Sequence, residues 1–243
     1  MNIIVCGDSH SNVFNYSNEF QDIYNFKNVQ VRGATAFGII NPHSSTDALK
    51  IFSDEIHDNY KNSDKLMIML GEVDCGFLIW IRSSKHDMTI EYQLERCIEN
   101  LFIFAKNQAK YFENKDIIIV GAILPTIKNN NSLNCSQEEI NEYNDKQSDL
   151  TLKNNSSPKF LNGLREKVTA SQIERTELTL NYNKRLKEIC EIEGYQYVDI
   201  TKHIINENNI VCDDYLRENI YDHHLCDEKT YEFWIEELNN ILM

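Results

Sequence analysis

The sequence predicts an α/β fold, a three-layer α/β/α sandwich around a parallel sheet of about five strands. Two observations carry this. Five short apolar segments read as strands: Ile3 to Cys6, Val29 to Arg32, Leu66 to Leu70, Ile117 to Val120 and Tyr195 to Ile200. Helical patterns lie between them, and alternating strand and helix is what a parallel sheet with helices on both faces requires.

The third and fourth strand segments are near-continuous apolar runs, as expected for strands covered on both faces. The first runs straight into Gly7. Around 46–58, Leu49, Phe52 and Ile56 follow Ser45 and Thr46, either of which is a plausible N-cap. Residues 88–111 carry a stripe of period 3.6 through Ile90, Leu94, Cys97, Ile98, Leu101, Phe102, Ala105 and Ala109. Residues 171–193 carry Ile173, Tyr182, Leu186, Ile189 and Cys190, with Gly194 placed to end the helix. A last helix carries Tyr231, Trp234, Ile235, Leu238, Ile241 and Leu242, a stripe for core packing.

The chain has 243 residues, enough for one large domain. One segment departs from the alternation. Residues 126–168 are polar, rich in Asn, Lys, Ser and Glu. Such a stretch is uncommon inside a compact domain. It reads either as a surface insertion or as a lid over the site.

Composition narrows the partners. The formal net charge is −14, and no Lys/Arg cluster is present to neutralise phosphates or an anionic bilayer. Neither nucleic acid nor membrane is expected as a partner. The N-terminus has no basic leader, and no apolar run reaches the ~20 residues of a membrane helix. The longest, Phe77 to Ile81, is far too short. Seven cysteines, an odd number, match no disulfide or zinc spacing. They read as reduced thiols in a cytoplasmic protein.

In a sheet of the flavodoxin-like order 2-1-3-4-5, ligands bind beyond the carboxyl ends of the strands. The segments there are Gly7-Asp8-Ser9-His10-Ser11, Gly33-Ala34-Thr35-Ala36 and Gly71-Glu72-Val73-Asp74-Cys75. A late block, Tyr221-Asp222-His223-His224-Leu225, precedes the last helix. A serine hydroxyl is a weak nucleophile that needs a base, and histidine is the usual one. His223, His224 and Cys226 hint at a metal site, but no second cluster completes four ligands. Neither metal nor cofactor is expected.

These blocks, in this order, resemble the SGNH (GDSL-like) hydrolase family. The likeness is to a subgroup with Gly-Asp-Ser-His first and Gly-Glu-Ile/Val-Asp-Cys third. Tyr182-Asn183 with Leu186, and Tyr197-Val198-Asp199, resemble the family's penultimate helix and strand. The matching blocks span nearly the whole chain apart from 126–168, so the resemblance implies a single SGNH-type domain.

It also implies roles. Ser9 is the nucleophile and His224, followed by Leu225, the base. The backbone N–H groups of Ser9 and Gly33 are oxyanion donors. His10, Glu72, Asp74, His223 and Arg82 contact substrate or support the loops, with Glu72 pairing with His10 or Arg32. Asp8 bonds loop N–H groups.

Two positions depart from the family pattern. Val73 stands where the family has an oxyanion-donating Asn, and Arg82 or a substrate group is the candidate replacement. The family's Asp lies three residues before its His, where this chain has Tyr221. Asp222, two before His224, is the candidate orienting acid, reaching by a local shift.

The implied activity is hydrolysis of small O-acyl esters, acetyl on carbohydrate above all. An acyltransferase with the same serine, or a catalytically weak glycan-binding module, are the alternatives.

Overall fold

The computed structural model describes residues 1–16, 23–86, 88–128, 168–219 and 222–243. Five parallel strands form one sheet: β1 (Asn2–Gly7), β2 (Asn25–Gln30), β3 (Lys65–Met69), β4 (Ile117–Val120) and β5 (Gln196–Val198). Their order is β2-β1-β3-β4-β5, the order expected from the sequence. Gly7 pairs with Gln30 on one side and Met69 on the other. The carboxyl ends of the first three strands therefore finish level, and the loops after them share one rim.

Period-two alternation divides the core. Ile4, Cys6, Leu66, Ile68, Ile117 and Ile119 face one side of the sheet. Against them pack α1 (Ala48–Asn59), α3 (Ile90–Asn107) and α4 (Gln172–Glu193), through Phe52 and Ile56, Leu94 and Leu101, and Tyr182 and Leu186. Ile3, Val5, Met67, Met69, Ile118 and Val120 face the other side. There they meet Val13 and Phe14 of a 3-10 helix (Ser9–Asn15), Ile204 of the short α5 (Thr201–Ile204), and Trp234 and Leu238 of α6 (Asp227–Leu242). Each fully buried aliphatic or aromatic side chain contributes about 1.5–3 kcal/mol.

Several expectations are corrected. The second strand lies at 25–30, not 29–32. It is an edge strand, so its alternation of exposed Asn25 and Lys27 with half-buried Phe26 hides it from an apolar-run criterion. The cap of α1 is Asp47, at φ 52°, with no side-chain cap bond, in place of Ser45 or Thr46. A π-helical turn (Asp74–Leu78) runs into α2 (Ile79–His86), a helix that the sequence reading did not resolve. Gly194 ends α4 at φ 77°, as expected.

Of the 126–168 segment, residues 129–167 lie outside the described residues. Its two ends are core. Ile127 and Val168 are buried with Phe77, Ile81 and Ala170. Arg175, itself 1% exposed, donates to the Ile127 carbonyl at 2.5 Å. Ile127 is thus tied to α4. The six described cysteines are free thiols. No helix among the described residues is long and apolar enough to cross a membrane.

Candidate active site

The loop after β1 is held from both neighbouring strands. Asp8 N–H donates to the Met69 carbonyl of β3 at 3.3 Å. From β2, Gln30 Nε2 donates to the Ser9 carbonyl at 3.1 Å and Asn28 Nδ2 to the Ser11 carbonyl at 2.8 Å. Gly7 admits Ser11, whose side chain would collide with any Cβ at position 7. These bonds fix Ser9 at the first residue of the 3-10 helix, where its N–H has no helical acceptor.

Ser9 is half-buried, and its hydroxyl makes no hydrogen bond with a described residue, His224 included.

The loop after β2 folds back beside it. Val31 N–H donates to the Gly7 carbonyl at 2.9 Å, and Ala34 N–H to the Val31 carbonyl at 3.0 Å. Gly33, at φ 73°, occupies the third position of that turn, where a type II turn requires positive φ. Neither the Ser9 nor the Gly33 N–H is engaged with a described residue.

Two identical local devices hold the histidines. Asp8 Oδ1 accepts from the backbone N–H of His10 at 2.9 Å and lies 2.9 Å from its Nδ1. Asp222 Oδ1 accepts from the backbone N–H of His224 at 3.0 Å and lies 2.5 Å from its Nδ1. Each is an Asp-x-His turn in which one carboxylate oxygen fixes both backbone and ring. Asp222 therefore reaches His224 although it stands two residues before it. Tyr221, at the family's usual position for the acid, lies outside the described residues.

With Nδ1 donating to Asp222, Nε2 of His224 is left as the basic atom. Nε2 is buried and has no partner among the described residues. The His224 pKa is lowered by burial and then by neighbouring His10, which outweigh Asp222. Its imidazole is thus neutral at neutral pH. Burial raises Asp222, yet the His224 hydrogen bond and charge, with Arg217, hold it well below the usual carboxylate range.

Arg217 was not legible as part of the site. It donates to Asp222 at 3.1 Å, Asp227 at 3.0 Å and the Leu225 carbonyl at 2.9 Å. Asp227 in turn accepts from Asn12 at 2.9 Å, joining the His224 loop to the helix that begins at Ser9.

The His10 ring sits between the two loops, 4.5 Å from the His224 ring and 5.1 Å from that of His223. It is buried; its Nε2 lies 3.2 Å from the His223 carbonyl and 3.5 Å from Glu72 Oε2. Burial lowers its pKa, but the Glu72 and Asp8 carboxylates reverse this and push it up to about 9. Burial pushes Glu72 up to about 7. Glu72 thus approaches His10, and Arg32 is exposed. His223, also buried, meets the Phe77 ring edge-on at 5.9 Å.

Asp74 does separate work. It accepts from the Ala36 N–H at 2.7 Å and the Phe37 N–H at 3.4 Å, tying the Gly33 loop to β3. Burial raises its pKa, against Arg82 and these donors. Arg82 lies 3.5 Å from Asp74 and stacks 4.2 Å over the Phe37 ring. Those contacts engage its guanidinium with the Asp74 loop. Val73, 7% exposed, offers only an apolar side chain.

Helix α4 steadies the remaining rim. Asn183 donates to the Ala122 carbonyl at 2.9 Å and accepts from its N–H at 2.7 Å. Tyr182 donates to the Leu70 carbonyl at 3.1 Å and lies over Gly71, at φ 128°.

The sequence has no match among protein-family models or curated proteins. Solved structures do match. A GDSL-like lipase from Bacteroides thetaiotaomicron superposes with a TM-score of 0.57 at 9% identity, over 98% of this chain and 86% of its own. An acetyl xylan esterase does so at 0.53 and 11% identity, over 100% of both chains. A carbohydrate acetylesterase family member from Sinorhizobium meliloti gives 0.54 at 10%, over 99% of this chain and 96% of its own. The chain has the fold of the GDSL-type (SGNH) hydrolases.

Proposed function

We propose that this protein is a serine acyl-ester hydrolase that removes small O-acyl groups, acetyl above all, from carbohydrate. Ser9 Oγ attacks the acyl carbonyl while His224 Nε2 takes its proton. The oxyanion is received by the Ser9 and Gly33 N–H groups. The imidazolium, steadied by Asp222, returns the proton to the leaving sugar hydroxyl. Water, activated by the same nitrogen, then hydrolyses the acyl-enzyme.

The observation that carries this reading is the state of His224. One ring nitrogen is fixed by a carboxylate; the other is buried, unprotonated at neutral pH and without a partner among the described residues. That is the arrangement a general base needs, and it stands beside the loop bearing Ser9. The carbohydrate substrate is supported by two neighbours of the same fold that bear acetylesterase names. Val73 supplies no third oxyanion donor. Loss of one donor costs ~10²–10³ in rate, so turnover is expected to be modest.

The test is acetate release from acetylated xylan and from p-nitrophenyl acetate. The wild type is expected to release acetate from both, with Ser9→Ala and His224→Ala at least ~10³-fold slower. A folded wild type that releases none, or a Ser9→Ala variant as active as the wild type, refutes the proposal.

A further inference from the structure

The late block alone offers too few ligands for a metal, and the sequence accordingly predicts none. The fold changes the count by bringing in His10, more than two hundred residues away in the chain. One ligand nitrogen from each of His10, His223 and His224 lies within 4.8 Å of the others. Cys226 is not in this group; it caps α6.

Three features mark the cluster as more than packed imidazoles. First, both Asp-x-His devices bind Nδ1, which leaves Nε2 of His224 for a ligand, and Nε2 of His10 once it gives up its proton and the His223 carbonyl. A histidine that ligates a metal characteristically gives its other ring nitrogen to a carboxylate, which fixes orientation and raises basicity. Second, His224 Nε2 is buried with no partner among the described residues. Third, both carboxylate oxygens of Glu72 are buried and accept no hydrogen bond from a described residue, their nearest cationic neighbour being His10 Nε2, 3.5 Å from Oε2. Buried polar atoms left without partners are costly, and a cation offsets that cost.

We infer that His10, His223 and His224 form a binding site for a divalent transition-metal ion, with Glu72 beside it, and that the bound ion switches the proposed esterase off. Three imidazoles suit zinc, copper or nickel; hard cations such as magnesium prefer oxygen. Tetrahedral zinc at about 2.0–2.1 Å from each nitrogen sets them about 3.3 Å apart. Binding draws the three nitrogens together across the remaining gap. His224, 19% exposed at its side chain, gives the ion a route in. Switching follows because ligation occupies the lone pair with which His224 would deprotonate Ser9. That consequence rests on the esterase reading; the binding itself does not.

The experiment titrates chelator-stripped protein with zinc by calorimetry and with cobalt by absorption, then assays p-nitrophenyl acetate hydrolysis across the same zinc range. One zinc per chain and a tetrahedral cobalt spectrum are expected. Binding should weaken at least tenfold in His223→Phe, which keeps the ring against Phe77, and in Glu72→Gln. Ser9→Ala should bind as the wild type does while losing turnover. Zinc should abolish turnover with the midpoint at which it binds, and chelator should restore it.

Absence of stoichiometric binding overturns the site, as does binding unchanged in both His223→Phe and Glu72→Gln. Stoichiometric binding that leaves an active enzyme active overturns the switch. Binding as expected in a protein with no turnover, stripped or loaded, upholds the site and refutes the esterase.

Discussion

Asp222 Oδ1 receives His224 Nδ1 at 2.5 Å across a gap of one residue, by the same turn with which Asp8 holds His10. The carboxylate fixes the tautomer that leaves Nε2 basic. Asp222→Asn should therefore lower kcat by on the order of 10⁴ with KM little changed, since the amide favours the other tautomer. Steady-state kinetics on p-nitrophenyl acetate checks this.

On the proposed mechanism Arg217 acts through Asp222, as a positioning residue. Its removal leaves Asp222 partly buried without its cation. Arg217→Ala should cost about 1–2 kcal/mol of stability, because the pair is only partly shielded from water. It should also move the pH-rate profile, which a merely structural loss would not. Arg217→Lys should restore part of both. Thermal unfolding and kcat/KM against pH read the two effects.

The pH dependence has a definite sign. Burial and the neighbouring His10 hold the His224 pKa below its ordinary 6.5. The active form is neutral, so kcat/KM should be full at pH 7 and fall as pH drops through that lowered value. Replacing the His10 charge, as in His10→Gln, should move the acid limb to higher pH. A profile measured in chelator with wild type and variant side by side checks both.

Gly33 and Gly71 both hold positive φ, but their surroundings differ. A Cβ at Gly33 meets nothing closer than Thr46 Cγ2 at 3.9 Å, whereas one at Gly71 would fall 2.4 Å from the Tyr182 ring. Gly33→Ala should cost about 1–2 kcal/mol for the backbone alone. Gly71→Ala should cost more, since the collision adds about 1–3 kcal/mol. Unfolding in urea ranks the two variants.

Much of the fold was legible because the buried strands carry their own signature. Ile117 to Val120 is apolar throughout and is a strand to the residue. β2 was misplaced because an edge strand with Asn25 and Lys27 pointing out does not read as an apolar run. The π-turn at Asp74 was invisible because it is fixed by tertiary partners, Ala36 and Arg82, that local periodicity does not encode.

Of the site, Ser9, Gly33 and Glu72 could be placed together once the strand order was assumed. Asp222 was legible only as a candidate, because a two-residue reach depends on turn geometry. Arg217 meets Asp222, Leu225 and Asp227 through the fold of its own loop, whereas the His10 contact with His224 arises from long-range folding. A lone Arg among acidic neighbours gives no local signal, and His10 carried only the sequence mark of standing beside Ser9.

On the proposed mechanism His224 activates the Ser9 hydroxyl. Treatment with a fluorophosphonate, followed by intact-mass and peptide analysis, reads that activation. One adduct per chain is expected, on Ser9, forming at least ~10³-fold more slowly in His224→Ala. A folded wild type that takes no label, or takes it on another residue at a rate indifferent to His224, contradicts it.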